Sequence, residues 1–163
     1  MTTIVFRDGI MATDSRAYSG DNSPIGFKKK LHVLPNRALV ASSGHGGQTD
    51  AFAKWCIQAV NKGHFLPARA HHRIGVQALL VWTDGTVHYW DSRCFTGALE
   101  ARFFAIGSGK EFALGALHAG ATAEEAVRIA SEYDSLTGGP IQTAKLMPVE
   151  IRRFAKKTKR RRR

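Results

Sequence analysis

Short runs of period-two alternation, bounded by turn residues, interleave along this chain with stretches of helical spacing. Residues 3–6 and 10–13 read as two strands around Arg7-Asp8-Gly9. With a three-residue loop, Phe6 faces Ile10 and Thr2 faces Asp14; with a two-residue loop the register moves by one and Thr2 lies diagonal to Asp14. In either register a carboxylate arrives beside the first threonine. Residues 30–34 and 38–42 form a second hairpin around Pro35-Asn36-Arg37, and residues 76–82 and 86–91 a third around Thr83-Asp84-Gly85. Phe52, Trp55, Cys56, Ala59 and Val60 have helical spacing over 49–62, with Gly63 as a stop. A strand at 102–106 leads into Gly107-Ser108-Gly109 and a helix over 110–118. Thr122 and Glu125 form a capping box for a further helix ending near Asp134, where Gly138-Gly139-Pro140 intervenes. Strands at 141–146 and 149–154 close the pattern, while 18–27 and 64–75 read as loops. Strands, helix, strands, two helices and strands, joined by antiparallel hairpins, make an α+β domain with two stacked sheets and helices outside.

The 163 residues suit one domain with a core of ordinary size. The net charge of +11 suggests a nucleic-acid binder until its placement is examined: seven of the eight residues from Lys156 to Arg163 are basic, and without them +4 remains. The chain therefore divides into a folded part, 1–155, and a basic tail, 156–163, expected to be disordered. Cys56 and Cys94 lack metal or redox spacing and fit a reducing compartment, and no apolar run reaches signal-peptide or membrane-span length. These features point to a soluble cytoplasmic protein without membrane contact.

The chemistry begins at Met1-Thr2-Thr3. Aminopeptidases remove an initiator methionine when a small residue follows. That would leave Thr2 with a hydroxyl nucleophile and its own α-amine as base, a group titrating near pH 7.7–8.0 in unperturbed form. Other motifs fail on inspection. Phe104 stands where a phosphate loop ending at Gly109-Lys110 needs glycine, and Ile106 stands where a nucleophile elbow does. His71-His72 lacks partner ligands at metal spacing, and Cys56 falls on the apolar helix face.

Thr2-Thr3-Ile4-Val5, Ala12-Thr13-Asp14-Ser15-Arg16, Lys29-Lys30-Leu31, a glycine turn ending in Asp50, Ile106-Gly107-Ser108-Gly109 and Asp134-x-x-Thr137-Gly138-Gly139 occur in that order. Together they resemble the proteasome β-subunit family of N-terminal-nucleophile hydrolases, including HslV-like peptidases, over roughly residues 2 to 150. The resemblance implies a four-layer αββα sandwich and a threonine-type endopeptidase needing no cofactor or metal. It implies Thr2 as nucleophile, Lys30 beside it lowering its pKa by charge, Asp14 holding Lys30, and Ser108 bonding the Thr2 amine. Asp134 and Thr137 would complete that network, Thr137 standing where the family usually has serine. A glycine N–H would form the oxyanion hole: counting from Lys30 gives Gly44, the favoured choice, and counting back from Asp50 gives Gly46. Lys28 and His32, sharing the face of Lys30 on an extended strand, would flank the substrate pocket and favour acidic or small side chains.

Relatives form closed rings acting on unfolded proteins or peptides, some with an ATPase unfoldase, so a homo-oligomeric ring is the corresponding expectation. The chain departs from the family between Gly63 and Gly75, where a second long helix is shortened or missing, and in its basic tail, which suits weak contact with nucleic acid. Two other readings stand beside the peptidase: a catalytically inactive ring or scaffold subunit, and a nucleic-acid-binding protein acting through the tail.

Overall fold

The computed structural model describes residues 2–63 and 75–147. The expected strand at 149–154, the basic tail, His71-His72 and nearly all of the shortened segment after Gly63 lie outside these residues.

The chain opens with β1 (Thr3–Arg7) and β2 (Ile10–Thr13). Arg7 pairs with Ile10 and Ile4 with Thr13, which makes the loop two residues long. Asp8 and Gly9 both have positive φ, 49° and 76°. That is the Asp-Gly turn whose twist matches two right-handed strands. It selects the second of the two registers, so Asp14 comes level with Thr3 and diagonal to Thr2. The chain then forms β3 (Arg16–Tyr18), β4 (Pro24–Phe27), β5 (Leu31–Val33) and β6 (Leu39–Gly44). Helix α1 (Gly46–Asn61) precedes β7 (Val76–Val81), β8 (Val87–Asp91) and β9 (Cys94–Phe95). β10 (Phe103–Gly107), α2 (Lys110–His118), α3 (Ala123–Tyr133) and β11 (Gln142–Lys145) complete the described chain. At the start of α3, Thr122 Oγ1 accepts from Glu125 N–H while Glu125 Oε2 accepts from Thr122 N–H, the reciprocal cap expected from the sequence.

The sheets correct the expected architecture. Instead of two stacked sheets there are three, all antiparallel: β10-β1-β2-β11, β3-β4 and β5-β6-β7-β8-β9. With three helices among the described residues and strands predominating, this is not the four-layer αββα sandwich that the resemblance implied. Residues 18–27, expected as loop, supply most of the additional sheet. Its β3–β4 hairpin stands apart because its flanking amides are taken elsewhere: Ser15 and Arg16 N–H donate to the Gly138 carbonyl, and Lys28 N–H to that of Ser15. The five-stranded sheet carries α1 alone among the described helices, packed on β6 and β7.

Alternation along the strands sorts the apolar side chains into three clusters. Val5 and Ala12 pack with Ala113, Leu117, Val127 and Ala130 of α2 and α3. Ile4 and Met11 face the other way, against Leu39, Leu79 and Val81. Val40, Ala78, Leu80 and Trp90 pack beneath Phe52 and Cys56 of α1. The first strand is thus covered on both faces, and Thr2, immediately before it, is only 3% exposed. No described helix is long and apolar enough to cross a membrane.

Candidate active site

The backbone fixes Thr2 before any side chain does. Its carbonyl accepts from Ser108 N–H at 3.0 Å, and Thr3 pairs with Gly107 across β1–β10. Gly107 has φ +99°, and a Cβ there would come 1.7 Å from the Thr2 carbonyl oxygen. Both the dihedral and the close approach require glycine. Gly107→Ala is therefore expected to lose at least about 2 kcal/mol of stability and to displace Thr2. Chemical denaturation, together with loss of any Thr2-dependent reaction, reads both effects.

Asp14 and Lys30 form a buried pair, Nζ to Oδ2 at 3.0 Å, with side chains 0% and 4% exposed. Asp14 also accepts from Thr3 N–H at 3.0 Å and Gly138 N–H at 3.1 Å. Burial pushes the Asp14 carboxyl above its ordinary value, against the opposing Lys30 charge and these hydrogen bonds. Burial likewise pulls the Lys30 ammonium down, against the attraction of Asp14, with Lys28 and Arg16 adding to the lowering. A lysine held this way gives up its proton more readily than one in water.

Lys30 lies just outside β5, not on a strand as the pattern suggested. Gln142 of β11 holds it there. Its Oε1 accepts from Lys30 N–H at 2.9 Å and Leu31 N–H at 3.3 Å, while its Nε2 donates to the Lys28 carbonyl at 2.7 Å. Sequence reasoning missed Gln142; its signal is a polar residue in the closing strand, paired with Thr13 one step from Asp14.

The second network runs through Thr3. Gly109 N–H donates to Thr3 Oγ1 at 3.0 Å, and Thr137 Oγ1 donates to Asp134 Oδ2 at 2.5 Å. The 2.7 Å contact between the two threonine hydroxyls then has Thr3 as donor, since Thr137 has already committed its proton. Asp134 is the C-cap of α3, where the helix dipole disfavours an acid. Burial also works against its charge, but hydrogen bonds from Thr137, Ser108 and Leu136 prevail and hold the carboxyl below its ordinary value. Ser108 Oγ is close enough to assist in this, yet it is buried without a hydrogen bond of good geometry. The structure places Ser108, Asp134 and Thr137 near one another, joined by Thr3, which the sequence did not reveal; the bond from Ser108 to Thr2 runs from its backbone N–H to the Thr2 carbonyl.

Thr2, Lys30, Lys28, Gly44 and Gly46 line one cavity of about 210 Å³, with Arg16, Tyr18, Ile25, Thr49 and Asp50 also in its wall. Both oxyanion candidates therefore face the same space. Gly46 opens α1, so its N–H has no intrahelical acceptor and sits at the positive end of the helix dipole. Lys28 Nζ is held by Asp50 Oδ1 at 2.8 Å, the Gly46 carbonyl at 2.9 Å and Thr49 Oγ1 at 3.0 Å. His32 lies outside this wall; burial and the nearby charges of Lys29 and Lys28 lower its pKa, with Asp50 opposing. No described cluster of His, Cys, Asp or Glu has the makings of a metal site.

No family model matches the sequence, and no curated protein does. The fold does have solved counterparts. Over 90% of this chain it is similar to Thiobacillus denitrificans BPH in complex with epoxomicin, covering 99% of that chain with a TM-score of 0.61 at 20% identity. A second structure of Thiobacillus denitrificans BPH matches with the same TM-score and identity over 98% of its chain. At this identity the likeness is one of fold.

Proposed function

We propose that the chain is a threonine-type endopeptidase of the proteasome β-subunit and HslV-like kind, active once Met1 is removed. The observation that carries this reading is the surroundings of Thr2, the residue whose exposure as an N-terminus would create a nucleophile: it shares a cavity with Lys30, whose ammonium pairs with buried Asp14, and its carbonyl is held by Ser108, next to the Thr3–Thr137–Asp134 network. The α-amine of Thr2 takes the proton as Oγ1 attacks the peptide carbonyl, and Lys30 favours the deprotonated forms of both groups by its charge. The tetrahedral oxyanion takes a hydrogen bond from the N–H at the head of α1, with Gly46 as donor. Collapse breaks the C–N bond, the amine returns its proton to the leaving amine, and water then hydrolyses the Thr2 ester. Unfolded proteins or peptides are the substrates, and a homo-oligomeric ring, with or without an ATPase partner, is the setting. Two cysteines without a disulfide, one buried and one exposed, support a reducing cytoplasm.

Intact mass spectrometry with epoxomicin, the ligand of the fold's solved counterpart, tests the reading. The expected spectrum shows loss of Met1 and one covalent adduct per chain, absent in Thr2→Ala. Retained Met1, or labelling that persists in that variant, would overturn it.

A further inference from the structure

The charges on the cavity wall are not equivalent. Lys30 is matched by Asp14 and Lys28 by Asp50, each in an ion pair of 3.0 Å or less. Arg16 stands apart: it lines the same cavity, is half-buried, and has no carboxylate within salt-bridge distance among the described residues. Its place is set by the backbone. Arg16 N–H donates to the Gly138 carbonyl at 2.8 Å, and the guanidinium lies where a Cβ on Gly138 would be, 2.4 Å from Cζ. Glycine at 138 thus lets the planar group lie flat against the loop that also donates to Asp14. A guanidinium positioned in this way presents paired donors and cannot lose its charge, so a carboxylate is its complement. Ala17, Tyr18 and Ile25 supply the less polar wall beside it.

We infer that Arg16 is the specificity-determining residue of this cavity and binds a substrate carboxylate. This rests on the peptidase reading and deepens it by naming the substrate class: peptides with a carboxylate near the scissile bond. It also reassigns the acidic preference first attached to Lys28 and His32, since Lys28 is already neutralised and His32 lies outside the wall. The carboxylate has two sources, an Asp or Glu side chain on the acyl side of the scissile bond, or the α-carboxylate of a short peptide.

The test uses peptides identical except for Glu or Gln on the acyl side, all amidated, and a second pair with a neutral residue there and a free or amidated C-terminus. Cleavage is measured with the mature protein, and binding by calorimetry with Thr2→Ala, which provides a readout independent of turnover. The carboxylate peptide of one pair is expected to be preferred at least about tenfold in kcat/KM and in Kd. Arg16→Gln should reduce that ratio to near one, with the loss falling mainly on the carboxylate peptide, and Arg16→Lys should fall between. The pair that responds identifies the source. Ratios near one in the parent protein, ratios unaltered by Arg16→Gln, or an equal loss for all peptides would overturn the assignment. Binding preference without cleavage would sustain it while refuting the peptidase reading.

Discussion

In Thr2→Ala, peptide hydrolysis is expected to fall by at least about three orders of magnitude in kcat, with KM little changed. The reason is local. The variant keeps the α-amine and the carbonyl that Ser108 binds, but loses the hydroxyl proposed as the nucleophile. Stability should stay within about 2 kcal/mol of the parent, because the main chain anchors this residue. Thr2→Ser keeps both hydroxyl and amine and should retain measurable turnover. In the parent, kcat/KM should rise with pH, since the base proposed for the reaction is the neutral amine. A Thr2→Ala protein that still cleaves peptides at a parental rate would remove Thr2 from the reaction altogether.

The second large effect is one of stability. Lys30→Met should abolish activity and cost about 3–5 kcal/mol near neutral pH, because it strands the Asp14 carboxylate without its cation. The sign of the pH dependence follows from Asp14. Burial already raises its folded pKa above the unfolded value of 3.8, and removal of Lys30 raises it further. A carboxyl with a raised folded pKa gives its stabilising contribution in full below the unfolded pKa and loses it as pH rises through the folded one. The variant should therefore lie nearest the parent in acid and fall behind progressively toward neutrality. Asp14→Asn combined with Lys30→Met should recover most of the stability while remaining inactive. Denaturant unfolding across pH checks this. A deficit of constant size, or a double variant no better than the single, would show that the pair carries no charge of consequence.

How far the sequence reveals this molecule depends on how local the determining interaction is. The capping box at Thr122, the stop before Gly120 and the three principal hairpins are legible because each is set by a few neighbouring residues. The Asp8-Gly9 turn was legible as a turn, but its loop length decides which residue faces Asp14, and two positive φ values settled that. The β3–β4 hairpin was hidden because its residues are polar or exposed and lack an apolar alternation to betray it. Helix α1 starts at Gly46, ahead of the predicted 49: Gly46 and Gly47 look like a turn yet enter the helix. The site was legible where it follows motif residues. It was opaque at Thr3, Gln142 and Arg16, whose contacts are with partners more than a hundred positions away.

Gln142 links residues far apart in the chain. It lies in the last described strand and holds the segment carrying Lys30, while Gly138, four residues earlier, donates to Asp14. A chain that stops after α3 lacks both the Gln142 amide that seats Lys30 and the Gly138 N–H from which Asp14 accepts. Loss of the segment 138–142 should thus unseat Lys30 and Asp14 together, although both stand more than a hundred positions before it.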